Sequence, residues 1–332
     1  MYRWLLFLIV LLGSCSPEPL PEKVQGTAQG TYYSIIYFDQ QHRNLKPEID
    51  SLLDAFDQSV SLWVPGSILS RVNQDDDAVI PDKWFIENFN YSQQVALATD
   101  GAFDCTVEPL VRAWGFGFDE STHVDSTIVD SIIEFVGFSK ITIVNNKIVK
   151  EDPRVKIDFN AIAHGYSVDV VADFLRSKGI NNYLVDVGGE VAAKGSKPGN
   201  KPWKVGIEKP AKHKEDDREL KIVIGLHDKS VATSGSYRKY YEKDGIRYSH
   251  TIDPKTGYPV KHSLLSVSVI ADNTALADAY ATSFMVMGFK KARGFVERDT
   301  ALEAFFIYSD SAGHNQTYAT PGFKKMILEE FE

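Results

Sequence analysis

The chain has 332 residues, with 36 Lys and Arg against 45 Asp and Glu and a formal net charge of −9. That balance excludes a nucleic-acid surface, which needs a basic stripe. Cys15 and Cys105 are the only cysteines; once Cys15 is acylated, as expected below, no intramolecular disulfide is possible and stability must come from an ordinary core.

In chain order, MYRWLLFLIVLLGSC opens with one basic residue, Arg3, an apolar run from Trp4 to Leu12, and the small residues Gly13 and Ser14 before Cys15. This reads as a signal peptide, its apolar run well short of the ~20 residues that cross a bilayer as a helix. Leu12-Gly13-Ser14-Cys15 also resembles a bacterial lipobox, which sets the expectation that residues 1–15 end at a lipidated Cys15 and that acyl chains anchor the mature chain. Residues 16–26, rich in Pro and polar side chains, read as a flexible tether, and 27–332 as one domain with no internal linker or repeat.

Within that domain GTYYSIIYF (30–38) reads as a strand, rich in aromatic and β-branched residues. Ile49, Leu52, Leu53, Phe56 and Val60 follow Pro47 at helical spacing. A second helix is predicted over 83–99, stopping at Gly101, and a third over 162–178, stopping at Gly179. VKIDF, ending at Phe159, reads as a strand feeding the third helix. Further strands are predicted at 183–187, 203–208, 220–226, 264–271 and 302–308, with a helix over 274–287. Alternating helices and strands without a clean repeat give a single mixed α and β domain, the charged stretch 209–220 being a turn.

Several residues in this frame carry chemistry. Asp278 and Thr282 stand four apart, so a carboxylate and a hydroxyl project from one helix face, and both are the hard oxygen ligands that Mg²⁺ takes. Their neighbours Ala275, Leu276, Ala277, Ala279 and Ala281 are small or apolar, so a buried Asp278 would need a hydrogen-bonding or cationic partner. Asn160 and Ala161 fall at a predicted helix start, where unpaired backbone groups favour phosphate. His250 precedes a loop stiffened by Pro254, Gly257 and Pro259, which suits either a functional imidazole or one that only hydrogen-bonds to its loop. Trp63 could stack on a ligand or pack in the core. There is no GxSxG, and Gly188-Gly189 lacks the GxGxxG spacing.

The segments DGAFDCTVEPL (100–110), IDFNAIAHGYSVD (157–169), LVDVGGE (184–190), VATSGSYR (231–238), RYSHTIDPKTGYPV (247–260) and TALADAYATS (274–283), in this order, resemble the FAD:protein FMN transferases, the ApbE-type flavin transferases. The resemblance spans nearly all of 28–290. It implies an α+β fold of the ApbE-like type. It also implies an FAD site from Gln29, Trp63, Ala102, Phe103, Asp104, Asp158, His164 and Ile252, and a Mg²⁺ site from the Ala161 carbonyl, Asp278 and Thr282. Thr233, Ser234 and Gly235 match as a small-residue turn near the phosphates or the acceptor. Three positions depart from the family pattern: Gln29 where Met is common, His164 where Lys is frequent, and Cys105 where Pro is usual.

The activity implied is phosphoryl transfer, in which a Thr or Ser hydroxyl of an acceptor protein attacks the FMN phosphorus of FAD and AMP leaves. His250, or a carboxylate such as Asp253, would move the proton. Two alternatives stay open: a Mg-dependent FAD pyrophosphatase and a non-enzymatic flavin-binding lipoprotein. The implied setting is the cell envelope, lipid-anchored and facing the periplasm, with inner or outer membrane undecided. The acceptor expected there is a membrane-associated redox protein.

Overall fold

The computed structural model describes residues 20–116, 124–210, 219–235, 240–243, 246–249 and 251–331, with Tyr240–Lys243 and Ile246–Ser249 described by backbone alone. An eight-stranded sheet forms the middle layer. Its spatial order is Glu22–Ala28, Thr31–Tyr37, Tyr183–Val187, Glu190–Lys194, Lys229–Gly235, Leu264–Ala271, Glu303–Ser309 and Asn315–Ala319. Each neighbouring pair is antiparallel.

Helices cover one face. Lys46–Val60, Lys83–Ala98, Ala163–Ser177 and Thr274–Val296 bury Phe56, Phe85, Val171 and Phe284 against strand residues such as Tyr33, Val185, Ala232 and Phe306. The other face carries a small sheet of Trp203–Glu208, Leu220–Leu226 and Ile327–Glu330, which packs Trp203, Ile207 and Ile224 on Val191, Val231, Phe305 and Ile307. Adjacent residues on one strand, Val231 and Ala232 or Phe305 and Phe306, therefore enter different cores. A strand covered on both faces reads as a continuous apolar run, as Ala304, Phe305, Phe306 and Ile307 do. The result is the α+β domain expected, built as three layers.

Some expectations fail at identifiable places. Glu22–Ala28 overlaps the stretch read as tether, yet it forms a full strand on Thr31–Tyr37. Of its residues only Val24 is buried, so no apolar period announced it. Among the described residues VKIDF joins no strand ladder. Val155, Ile157 and Phe159 are buried, and so is Asp158 between them; the Asn73 side chain bonds both the N–H and C=O of Ile157, and Asp158 N–H donates to the Cys105 carbonyl at 2.7 Å. Thr233-Ser234-Gly235 ends the strand Lys229–Gly235 and is no turn. The helix predicted to stop at residue 287 kinks at Gly288, with φ of 72°, and resumes to Val296.

Candidate active site

Two helices and a hairpin turn make the rigid part of the site. Gly165, in the first turns of the helix Ala163–Ser177, lies against the helix Thr274–Val296 so closely that a Cβ there would sit 2.5 Å from the Thr274 carbonyl oxygen and 2.7 Å from Asp278 Cβ. The absent side chain lets the Gly165 N–H donate to Asp278 Oδ2 at 3.0 Å, which fixes a carboxylate that is 7% exposed. One turn further down its helix, Asp169 accepts from the N–H groups of Thr274 and Ala275 at 2.9 and 2.8 Å, and Asn273 Oδ1 accepts from Leu276 at 2.9 Å. Three N–H groups of a helix start, which have no intrahelical partners, are thereby satisfied. Burial pushes the Asp169 carboxyl up to about 6. One turn past Asp278, the Thr282 hydroxyl lies 3.4 Å from the Ser234 hydroxyl.

The first hairpin delivers Gln29. Gln29 and Gly30 have φ of 54° and 71°, the left-handed pair that a two-residue type I′ turn demands. Glutamine in that region is strained. The turn places the Gln29 carbonyl 3.3 Å from His164 Nε2 and its side-chain oxygen 3.1 Å from the Ser167 hydroxyl. His164 is therefore tied to the hairpin tip at the cavity.

A cavity of about 1430 Å³ opens between these elements. All eight residues expected at the flavin, Gln29, Trp63, Ala102, Phe103, Asp104, Asp158, His164 and Ile252, line it. So do Ala161, Asp278 and Thr282, the expected metal donors, and Thr233, Ser234 and Gly235. His250 and Cys15 lie outside the described residues.

The carboxylates differ in what holds them. Asp104 Oδ1 accepts from the Thr106 N–H at 2.8 Å and the Thr106 hydroxyl at 2.6 Å, and Oδ2 accepts from the Phe138 N–H at 2.7 Å. Asp104 thus fastens the loop after Gly101 to the segment at Gly137, and it borders the cavity as a tie. Asp158 accepts from the Asn160 N–H at 2.6 Å, shaping the approach to Ala161. Burial raises the carboxyls of Asp57, Asp104 and Asp158 above their ordinary range. The Cys105 thiol is buried and pushed well upward, which makes it an inert thiol. Trp63 is 58% exposed, its ring at the rim.

Sequence reasoning did not anticipate the rest of the wall. Asp57, Asp186 and Glu190 line it, as does the run Lys204, Val205, Gly206, Ile207 and Glu208. Asp186 and Glu190 fall in the resembling segment LVDVGGE, to which no role is assigned, and 204–208 is marked in the sequence only as a strand. The wall is acidic, with Asp57, Asp104, Asp158, Asp186, Glu190, Glu208 and Asp278, and Lys204 is its one lysine among the described residues. A phosphate-bearing ligand entering such a wall needs a cation. Among the described residues no three His, Cys, Asp or Glu side chains come together as a metal cluster. A set of one carboxylate, one hydroxyl and one carbonyl does not require that cluster, and its all-oxygen chemistry fits Mg²⁺ with phosphate and water completing the shell.

The ApbE family profile matches residues 29–306. The chain is 35% identical to an FAD:protein FMN transferase of Vibrio cholerae, covering 98% of this chain and 99% of that protein. It is 33% identical to an FAD:protein FMN transferase of Escherichia coli K12, covering 95% and 94%. Among solved structures, the flavin transferase ApbE from Vibrio cholerae matches with a TM-score of 0.82 at 33% identity, over 92% of this chain and 99% of that one. The ApbE protein of Thermotoga maritima matches with a TM-score of 0.81 at 26% identity, over 93% and 100%.

Proposed function

This chain belongs to the ApbE family, and from that premise we propose that it is an FAD:protein FMN transferase that moves FMN from FAD to a Thr or Ser hydroxyl of an acceptor protein. The observation that carries the proposal at the level of residues is the convergence of eleven expected site residues, eight for FAD and three for Mg²⁺, on one cavity.

The acceptor oxygen attacks the FMN phosphorus, the bond from that phosphorus to the bridging oxygen of the pyrophosphate breaks, and AMP leaves with the bridging oxygen. The hydroxyl proton passes to a base, for which His250 is proposed, with Asp253 on the same loop as the alternative. The loop itself is ordered: Asp253 N–H donates to the Tyr258 carbonyl, Val260 N–H to the Thr251 carbonyl, and Trp114 Nε1 to the Gly257 carbonyl at 2.7 Å, while Ile252 is buried at the cavity. Asp278, Thr282 and the Ala161 carbonyl would hold Mg²⁺, which would supply neutralisation of the pyrophosphate in this acidic cavity. Gln29 and His164 position the hairpin tip, and the Trp63 ring offers a stacking surface for the flavin. Cys15 is proposed as the lipidated residue of an envelope protein facing the periplasm, where membrane-associated redox proteins are the acceptors; its lipobox-like surroundings support this.

The test is mass spectrometry of acceptor proteins after incubation with residues 20–332, FAD and Mg²⁺, together with an AMP assay. The expected result is a gain of one FMN on Thr or Ser, with stoichiometric AMP, reduced at least ~100-fold in Asp278→Ala. AMP with free FMN and no adduct would make the protein an FAD pyrophosphatase; bound FAD with neither product would make it a carrier.

A further inference from the structure

The cavity has two sides, and nothing expected of FAD or Mg²⁺ falls on the one built from the strand Trp203–Glu208. At about 1430 Å³ it is also larger than the roughly 300–1,000 Å³ of an ordinary small-molecule site. A transferase must admit a second substrate there, and that substrate is a polypeptide.

Five consecutive residues of the strand, 204–208, line the cavity. Side chains alternate along a strand, so five in a row cannot all point one way. Trp203, Val205 and Ile207 go to the core beneath the small sheet, Lys204 reaches out to Glu329 at 2.7 Å, and Gly206 has no side chain. Lys204 and Glu208 also bring charge to the wall, but no one side-chain face supplies all five, so the main-chain edge of the strand borders the cavity as well. That edge is open: the small sheet runs Ile327–Glu330, Leu220–Leu226, Trp203–Glu208, and among the described residues no strand pairs with the outer side of the last.

Resting on the transferase reading, we propose that the acceptor protein docks as an extended segment, pairing its backbone with the open edge of Trp203–Glu208 and so carrying its Thr or Ser hydroxyl into the cavity. The chemistry requires something of this kind. A Ser or Thr oxygen sits only two bonds from Cα, so the acceptor's own backbone must come to the cavity wall. A helix is about 10 Å wide, whereas an extended strand is slim and leaves N–H and C=O groups that must be paired on leaving water. A strand edge satisfies them without regard to acceptor sequence, and the side chains that alternate with the hydroxyl face away.

Two variants test this with the membrane fraction of the producing cell as acceptor source. In an antiparallel edge strand, successive N–H groups point alternately to the neighbour and outward. Of Val205→Pro and Gly206→Pro, one therefore removes an inward N–H and damages the small sheet, while the other removes only an outward one, as edge prolines do; Val205→Pro also trims a partly buried side chain and Gly206→Pro brings a Cβ to 2.6 Å from Leu220 Cδ2, the free end of an exposed side chain that can turn aside, so the outward variant stays folded at a modest cost. Thermal unfolding tells them apart. The folded variant is expected to bind FAD with unchanged affinity and to label acceptor protein with FMN at least about tenfold more slowly, with KM for acceptor rising. Labelling at the parent rate would overturn the proposal, as would a parallel loss of FAD affinity, which would give this wall to FAD. If the parent chain labels nothing while releasing AMP, the transferase reading itself fails and the docking proposal falls with it.

Discussion

The two walls of the cavity are built by opposite means. On one side Asp278, Thr282, Gln29 and His164 are side chains held by helix–helix packing, a capped helix start and a strained turn. On the other, 204–208 present backbone along an open sheet edge. A wall of fixed side chains recognises one small molecule with defined charges and donors, and it tolerates little change. A wall of main chain recognises the extended shape of a polypeptide and is indifferent to most of its side chains. Substitutions on the first side should therefore be costly to stability and to ligand binding together.

Gly165→Val should break the contrast most severely. Its Cβ would sit at 2.5 Å from the Thr274 carbonyl oxygen, a backbone atom that cannot move without shifting the helix bearing Asp278 and Thr282. Overpacking of this kind is expected to cost about 4 kcal/mol or more, together with divalent-cation binding at the proposed Asp278 and Thr282 site. Thermal unfolding and Mn²⁺ binding measured by electron paramagnetic resonance would check both, and a variant with parent stability would show that the two helices are not clamped at this point.

Asp104→Ala should come next. It strands the Thr106 N–H, the Thr106 hydroxyl and the Phe138 N–H, all of which now donate to one carboxylate. The expected loss is about 3 kcal/mol in denaturant unfolding. If the residue contacted FAD and did not tie the loop, FAD affinity would fall with stability unchanged.

Asp169 sharpens the same side through pH. Its carboxyl is raised to about 6 by burial, with the hydrogen bonds from Thr274 and Ala275 and the nearby Arg176 opposing that rise. Because the folded pKa lies above the ordinary 3.8, the proton it retains contributes stability that is fully present below pH ~4 and is lost as pH rises through about 6. Asp169→Asn should remove that dependence: relative to the variant, the parent gains roughly 2 kcal/mol on going from pH 7 to pH 4. Parallel stability curves over that range would mean that the carboxyl is solvated.

Much of this was legible in the chain, and the failures have physical causes. Strands at 183–187, 203–208, 220–226 and 264–271 fall where expected because each is an apolar, β-branched run with a buried face. Glu22–Ala28 was missed because its stability comes from pairing with Thr31–Tyr37, and pairing leaves no mark on composition. The helix from Thr274 was cut short at Gly288, since a glycine with positive φ that interrupts a helix looks the same in sequence as one that ends it. Residues of the first wall stood out because their side chains do the work. The edge at 204–208 was invisible, because a backbone row can be offered by almost any sequence that forms an outer strand.

The smallest effect should come from Trp63, which stands 58% exposed on the rim. An exposed ring contributes little to the core, so Trp63→Ala should leave stability within about 0.5 kcal/mol of the parent. If the ring stacks on the flavin, the same change should weaken FAD binding by about 1 kcal/mol, roughly fivefold, and Trp63→Phe should recover most of it because a smaller aromatic face still stacks. Fluorescence titration of FAD against the three proteins measures this, since stacking quenches the flavin. Equal affinities would detach Trp63 from the flavin. A loss in Ala that Phe does not repair would point to the indole N–H and not to its face.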